Sequence, residues 1–132
     1  MSERSPPSEL RYTKSHEWLR TEGAELVVGI TDHAQQELTD IVFVELPKVG
    51  TELKGGGLAL VLESVKTVAD VYAPSHGAIV AVNEALKAHP ELVNRSPYGE
   101  GWLFRQSVTP SSEMVATLSA EEYAAFVAAS AH

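Results

Sequence analysis

A seven-residue pattern that occurs twice in the middle of the chain constrains the fold most. Residues 44–50 and residues 71–77 both read V-x-x-P-x-x-G. Across residues 41–81 apolar residues alternate with polar ones between turn residues, which indicates short strands. Two similar strand–turn units predict a pair of short pseudo-symmetric sheets folded over each other, because neither unit can bury its apolar face alone. The segment that joins the two copies, residues 58–71, is then predicted to be a projecting hairpin.

Apolar patterning selects the register of this hairpin. With Val65 and Lys66 as the central residues, one face is wholly apolar: Leu62 opposite Ala69, Leu60 opposite Val71 and Leu58 opposite Ala73. A shift of one strand by one residue would place Asp70 among the leucines, so burial favours this pairing. Val-Lys suits a two-residue turn poorly, and a four-residue loop from Ser64 to Thr67 keeps the same pairing with less strain. In both cases Lys66 lies at an exposed tip, where the residues alone equally allow a lysine that only solubilises the turn.

Two capping signatures predict peripheral helices. A cap-forming Asp32 is followed by Gln35, which predicts a short helix through about residue 38. Ser119 and Glu122 repeat the signature near the C-terminus. Apolar residues at helical spacing follow at Tyr123, Phe126 and Val127, and a further helical turn is predicted just before them at Met114 and Leu118. The chain is therefore predicted to be mainly β, with peripheral helices and a C-terminal helix packed on a sheet.

Length and composition limit the organisation and the partners. A chain of 132 residues, 44% of them hydrophobic, suits one domain. We place this domain at residues 10–132, with a C-terminal helical segment from about residue 111 and a flexible N-terminal tail over residues 1–9. The net charge of -8 disfavours nucleic acid as a partner. The apolar runs are too short to cross a membrane, and the N-terminus resembles neither a signal nor a transit peptide, so a cytoplasmic location is expected.

Metal binding is not expected from the side chains present. The sequence has no cysteine, and its five histidines show no close ligand spacing. The absence of cysteine also excludes disulfides and cysteine nucleophiles. Any sulfur chemistry must therefore come from a cofactor.

Several motifs together resemble one family. The segment ESVK at residues 63–66, followed by ADVYAP at residues 69–74, closely resembles the lipoylation site of glycine cleavage H proteins. Four further segments resemble the family in matching order: SHEW at 15–18, VGITDHAQ at 28–35, IVFVELP at 41–47 and SPYGEGW at 96–102. The resemblance extends from about residue 10 to the C-terminus. It implies a barrel-sandwich hybrid of the biotinyl/lipoyl type, with lipoate attached covalently to Lys66 at a hairpin turn.

The resemblance also implies a role and a set of partners. A lipoate ligase or lipoyltransferase would acylate Lys66, with Glu63 and Ser64 as recognition residues. The chain would then be a non-catalytic carrier in glycine catabolism and one-carbon metabolism. It would receive an aminomethyl group from glycine decarboxylase (P protein), deliver it to aminomethyltransferase (T protein) and present the dithiol to dihydrolipoamide dehydrogenase (L protein). The positions that match the family's protective cleft are Ser15, Glu17 and Asp70, although Ser15 and Glu17 taken alone are typical of ordinary surface residues.

Other carriers and other functions remain alternatives. A biotinyl domain would place methionine on both sides of the lysine, where this chain has Val65 and Thr67. Lipoyl domains of 2-oxoacid dehydrogenases usually have an acidic residue immediately before the lysine, whereas the nearest carboxylate on that side of Lys66 is Glu63. An H-like lipoyl relay or an unmodified binding module is the remaining alternative. The sequence departs from the usual family pattern at Thr67, at His76 and in the glycine run 55–57.

Overall fold

Two antiparallel sheets carry the fold in the computed structural model, which describes residues 5–108 and 114–130. Within these ranges the strands are β1 (Arg11–Tyr12), β2 (Glu17–Glu22), β3 (Glu25–Ile30), β4 (Ile41–Glu45), β5 (Glu52–Leu53), β6 (Leu58–Ser64), β7 (Val68–Tyr72), β8 (Gly77–Val82) and β9 (Phe104–Ser107). The helices are α1 (Asp32–Leu38), α2 (Ala85–Ala88), α3 (Leu92–Arg95) and α4 (Ala120–Ser130). The larger sheet has the order β1-β2-β3-β9-β8-β5, and the smaller one the order β4-β6-β7.

The repeated V-x-x-P-x-x-G pattern marks two equivalent crossings between the sheets. In each copy the valine belongs to the small sheet, where β4 and β7 both pair with β6. After the proline turn, each chain segment enters the large sheet, where β5 pairs with β8. The prediction of two pseudo-symmetric sheets, mainly β and with peripheral helices, is therefore confirmed.

Apolar side chains fill the space between the two sheets. Their main cluster includes Leu19, Val28, Ile30, Leu60, Leu62, Val71, Ile79 and Phe104, all nearly inaccessible to solvent. The opposite face of β2 and β3 carries Trp18 and Val27, which pack with Tyr12 and Tyr123 under α4. The large sheet is thus covered on both faces, which gives β7 and α1 a rigid base.

The hairpin register is confirmed over most of its length and wrong at its base. Leu60 pairs with Val71 and Leu62 with Ala69, as the apolar pattern predicts. At the base a bulge places Leu58 opposite Tyr72, and Leu58 is 51% exposed. The predicted pairing of Leu58 with Ala73 fails because Ala73 exchanges hydrogen bonds with the preceding turn, at Gly56 N (2.7 Å) and Gly57 O (2.8 Å).

Both predicted capping sites begin a helix, with one correction. At α1 the N-cap is Thr31, whose side chain accepts a hydrogen bond from Ala34 N. The predicted cap former, Asp32, is instead the first helical residue. At α4 the reciprocal pair forms as predicted: Ser119 N donates to the Glu122 carboxylate (2.8 Å), and Glu122 N donates to Ser119 Oγ (3.2 Å). Hydrogen bonding of the Glu122 carboxyl by the Ser119 backbone N–H, and secondly by the Ser119 side chain, lowers the pKa of that carboxyl.

The helical turn predicted at Met114 and Leu118 is wrong. Both residues are extended and form isolated bridges, Met114 with Ser75 and Leu118 with Tyr12. The described C-terminal helix begins only at Ala120. The helical segment is predicted from about residue 111, and its first residues, 111–113, lie outside the described residues. Among the described helices, none has the length and apolar character that crossing a bilayer requires.

Candidate functional site

Lys66 lies exposed at the apex of the β6–β7 hairpin, in a four-residue loop from Ser64 to Thr67. Ser64 N donates to Thr67 O (2.8 Å), which closes the loop. The Ser64 hydroxyl accepts hydrogen bonds from Lys66 N (3.2 Å) and Thr67 N (3.0 Å). No residue of this loop has a positive φ. The serine side chain thus satisfies the amides at the tip, which explains how Val-Lys is accommodated without glycine.

Two further contacts fix the apex against its neighbours. Val65 N donates to Asp40 O (3.0 Å), immediately before β4. The Lys66 ammonium donates to Glu37 O (3.4 Å), in the last turn of α1. A cation is favoured there because the carbonyl groups at a helix C-terminus carry partial negative charge. The apex is therefore held in place while its amine stays open to solvent.

A cleft of about 160 Å³ runs beside the hairpin, between β7 and α1. It contains three of the predicted site residues, Ser15, Glu17 and Asp70, together with His16, Ile30, Ala34, Glu37, Leu38, Leu62, Ala69 and Val71. The other three predicted residues, Glu63, Ser64 and Lys66, do not line it. The structure therefore separates the predicted residues into a cleft group and an apex group.

Glu17 is 1% exposed, and its carboxylate accepts three described hydrogen bonds. Its Oε1 accepts from Thr13 Oγ1 (2.5 Å) and from Ser15 Oγ (2.5 Å), and its Oε2 accepts from Tyr72 N (3.1 Å). This last bond satisfies an amide on the free edge of β7, which would otherwise be open to strand pairing. Glu17 therefore joins the start of β2 to β7 of the hairpin. Asp70 also lies on β7, two residues before Tyr72.

Replacing Glu17 with glutamine is expected to destabilise the fold by about 2 kcal/mol, because the amide nitrogen cannot accept hydrogen bonds and leaves a buried donor unpaired. The free energy of unfolding from urea titration measures this loss. Glu45→Gln is the matched control, since Glu45 is exposed on β4. If the two variants unfold at the same urea concentration, the second acceptor oxygen of Glu17 contributes nothing to stability.

Ser15 and Glu17 also line a second cavity, of about 510 Å³, together with Thr13, Lys14, Gly56, Tyr72, Ala73, Val115 and Ala116. The buried carboxylate thus lies between two recesses. Residues of β7 border both recesses, and Ala73, which follows β7, also borders the second one. Apolar surface therefore lies on either side of Glu17.

Sequence reasoning missed several residues of the site. No sequence pattern points to Thr13, whose hydroxyl donates to the Glu17 carboxylate. The α1 wall was also missed, although Ala34 and Leu38 share one helical face and so carried a usable signal. His16 borders the cleft with φ 73, and its Nδ1 lies 2.7 Å from Tyr123 Oη on α4. No pattern in the sequence shows that contact, because it joins distant segments. Among the described residues, no group of three or more potential ligands could hold a metal ion.

Comparison with known proteins assigns this arrangement to a family. The family model described as "Glycine cleavage H-protein" matches residues 10–130. This chain belongs to the glycine cleavage H-protein family. A glycine cleavage system H protein from Photorhabdus laumondii is 53% identical over 122 residues, covering 92% of this chain and 94% of that protein. One from Geobacillus kaustophilus is 53% identical over 121 residues, covering 92% and 95%.

A solved structure agrees in fold and extent. The crystal structure of a glycine cleavage system H protein from Mycobacterium marinum matches with a TM-score of 0.86 at 39% sequence identity. The match covers 93% of this chain and 99% of that one. The two-sheet fold and the C-terminal helix of this chain are therefore those of the H-protein family.

Proposed function

We propose that this chain carries lipoate as an amide on Lys66 Nζ and acts as the non-catalytic shuttle of the glycine cleavage system. A lipoate ligase or lipoyltransferase attaches the group. The chain then takes an aminomethyl group from glycine decarboxylase to aminomethyltransferase and presents the dithiol to dihydrolipoamide dehydrogenase. The observation that carries this proposal is an exposed amine at the apex of a rigid hairpin, directly beside a cleft that holds carboxylates.

The residues present fit such a group. The amine is exposed, so acylation needs no rearrangement of the fold. Leu62, Val71 and Ala34 give the cleft apolar surface for a hydrocarbon chain, while Glu17 and Asp70 supply negative charge for a cationic end. When bound, lipoate supplies the redox-active sulfur pair that this chain lacks.

Each side chain then has a distinct task. Lys66 provides the point of attachment, and Ser64 holds the loop that presents it. In the cleft, Glu17 is fixed by three donors and Asp70 is more exposed. Carboxylates close to an amine favour its protonated form, and a cleft wall keeps bulk water away from it. The chain itself moves no electron; it binds, orients and shields.

Intact mass and reconstitution test the proposal directly. Protein from a lipoylation-competent host is expected to carry the mass of one lipoyl group. It should then support release of carbon dioxide from glycine when mixed with purified glycine decarboxylase, and full turnover with the other two enzymes. Protein from a host that cannot attach lipoate is the control. A lipoylated chain that fails to support decarboxylation would refute the shuttle role.

Asp70→Asn is expected to leave lipoylation intact and to increase the rate at which the loaded protein loses ammonia to water several-fold, since the cleft loses one negative charge. Ammonia release is measured after removal of glycine decarboxylase and without folate acceptor. Glu63→Gln is the reciprocal variant, because Glu63 lies outside the cleft. It should slow lipoylation and leave ammonia release unaltered. An unchanged release rate in Asp70→Asn would remove Asp70 from the protective role.

A further inference from the structure

The hydroxyl of Tyr123, on α4, lies outside the cleft beside the hairpin and contacts two of its sides. Its oxygen lies 2.7 Å from His16 Nδ1 and 2.7 Å from Thr31 Oγ1. His16 belongs to the 15–17 segment, which lines the cleft, and Thr31 is the N-cap of α1, which lines another side. Tyr123 itself is 1% exposed and does not line the cleft. One buried oxygen therefore joins the 15–17 segment to α1.

The contact with Thr31 fixes the start of α1. The Thr31 hydroxyl accepts a hydrogen bond from Ala34 N (3.2 Å), and Ala34 lines the cleft. An N-cap of this kind orders the first helical turn by satisfying one of its free amides. A hydroxyl has one proton and two lone pairs, so Thr31 can accept from Ala34 N and bond to Tyr123 at the same time. Tyr123 thus holds the side chain that places the first cleft residue of α1.

The contact with His16 fixes the 15–17 segment. His16 has φ 73, a left-handed conformation that is unfavourable for a residue with a Cβ and persists only where its surroundings hold it. The bond from its ring to Tyr123 is one such restraint. Thr31 N also donates to His16 O (3.0 Å), so the two sides of the cleft meet at this residue. Because His16 lies between Ser15 and Glu17 in sequence, its conformation sets where those two side chains enter the cleft.

The packing of α4 needs the ring of Tyr123, and the two bonds of its hydroxyl are additional. The ring stacks on that of Tyr12, with centroids 4.8 Å apart and planes 16° apart. A phenylalanine ring could make the same contact. A hydroxyl at this buried position is unfavourable unless it is hydrogen-bonded, and both of its contacts lead to the borders of the cleft. Tyr12 differs, since its hydroxyl donates to Pro7 O (2.5 Å), and neither of these residues lines the cleft.

We infer that Tyr123 is a positioning residue for the cleft. Its hydroxyl holds the 15–17 segment and α1 at the separation at which the cleft shields the charged end of the loaded arm from water. This inference rests on the proposed function. Without the hydroxyl, His16 and Thr31 lose the partner that they share, and the two sides can move apart while the sheets stay packed. Helix α4 therefore acts on the cleft without lining it.

Amide hydrogen exchange in the unmodified protein tests the geometric part of the inference. Tyr123→Phe keeps the ring and removes the hydroxyl. It is expected to speed exchange at the Thr31 and Ala34 amides on the order of fivefold, through local opening. Tyr12→Phe is the matched control, because it removes a buried hydroxyl from the ring stacked on Tyr123 and should leave these two amides unaltered. Unchanged exchange in Tyr123→Phe overturns the inference, and so does equal acceleration in both variants.

Ammonia release from the loaded protein tests the functional part. After lipoylation and loading, Tyr123→Phe is expected to lose ammonia to water on the order of fivefold faster than the wild type, and Tyr12→Phe at the wild-type rate. Both variants should gain the lipoyl group as fast as the wild type, since neither tyrosine contacts the 64–67 loop. Faster exchange beside the cleft with unchanged ammonia release would also overturn the inference. If the wild-type chain accepts no lipoyl group, the proposed function fails, while the exchange rates still show whether the hydroxyl holds the cleft.

Discussion

Lys66→Arg protein is expected to gain no lipoyl mass and to support no glycine decarboxylation above the blank. The guanidinium stays protonated at any physiological pH, so it offers no lone pair to an activated acyl group. Arginine keeps the positive charge and can still donate to Glu37 O, the contact that the lysine makes in the wild type. The fold should therefore be unaffected, and the loss should be one of chemistry alone. Intact mass and carbon dioxide release measure it.

Lys54→Arg provides the matched control, since Lys54 is an exposed lysine in the turn before β6. It should be lipoylated and active like the wild type. The thermal unfolding midpoints of both variants should lie within about 2 °C of the wild-type midpoint, as expected for surface substitutions. A lipoyl mass on the Lys66→Arg chain would place the attachment site at another residue. Normal decarboxylation by an unlipoylated chain would remove the cofactor from the proposal.

The hairpin shows what sequence patterning predicts well. Leu60, Leu62 and Val71 are buried and Asp70 is exposed, so the choice of a wholly apolar face fixed the register correctly. A side chain on the wrong face has a large energetic cost, and this cost is visible in the sequence. The bulge at the base was not predictable, because Leu58 is as apolar as its neighbours. Ala73 forms its hydrogen bonds with the preceding turn instead of with Leu58, and Leu58 is therefore left outside the core.

Contacts between distant segments account for the other failures. Met114 and Leu118 have helical spacing, yet each forms a bridge with a residue far away in sequence. Periodicity within a window cannot show such pairing. The same holds for two departures from the family pattern, His76 and the glycine run: Gly55 N donates to His76 Nδ1 (2.9 Å). The two turns that carry these departures thus lie side by side away from the apex, and Gly56 lines the second cavity together with Ser15 and Glu17.

The two copies of V-x-x-P-x-x-G end at Gly50 and Gly77, which are equivalent in the sequence pattern but have different surroundings in the structure. Gly77→Ala is expected to destabilise the protein by about 3 kcal/mol, which lowers the unfolding midpoint by about 10 °C. A Cβ at Gly77 would lie 1.8 Å from Ser107 O, a backbone atom of β9. To make room, β8 would have to move away from β9 at the point where the second copy enters the large sheet.

Gly50→Ala supplies the matched control from the other copy. Gly50 has φ 96, but a Cβ there would meet nothing within 4 Å. Its substitution should cost only the backbone strain, about 1 kcal/mol. Differential scanning calorimetry on both variants separates backbone conformation from steric overlap, since both glycines have a positive φ and only one is crowded. Equal midpoints would mean that β8 relaxes away from β9 at little cost. The rigid base that holds β7 beside the cleft would then be much softer than the packing between the sheets indicates.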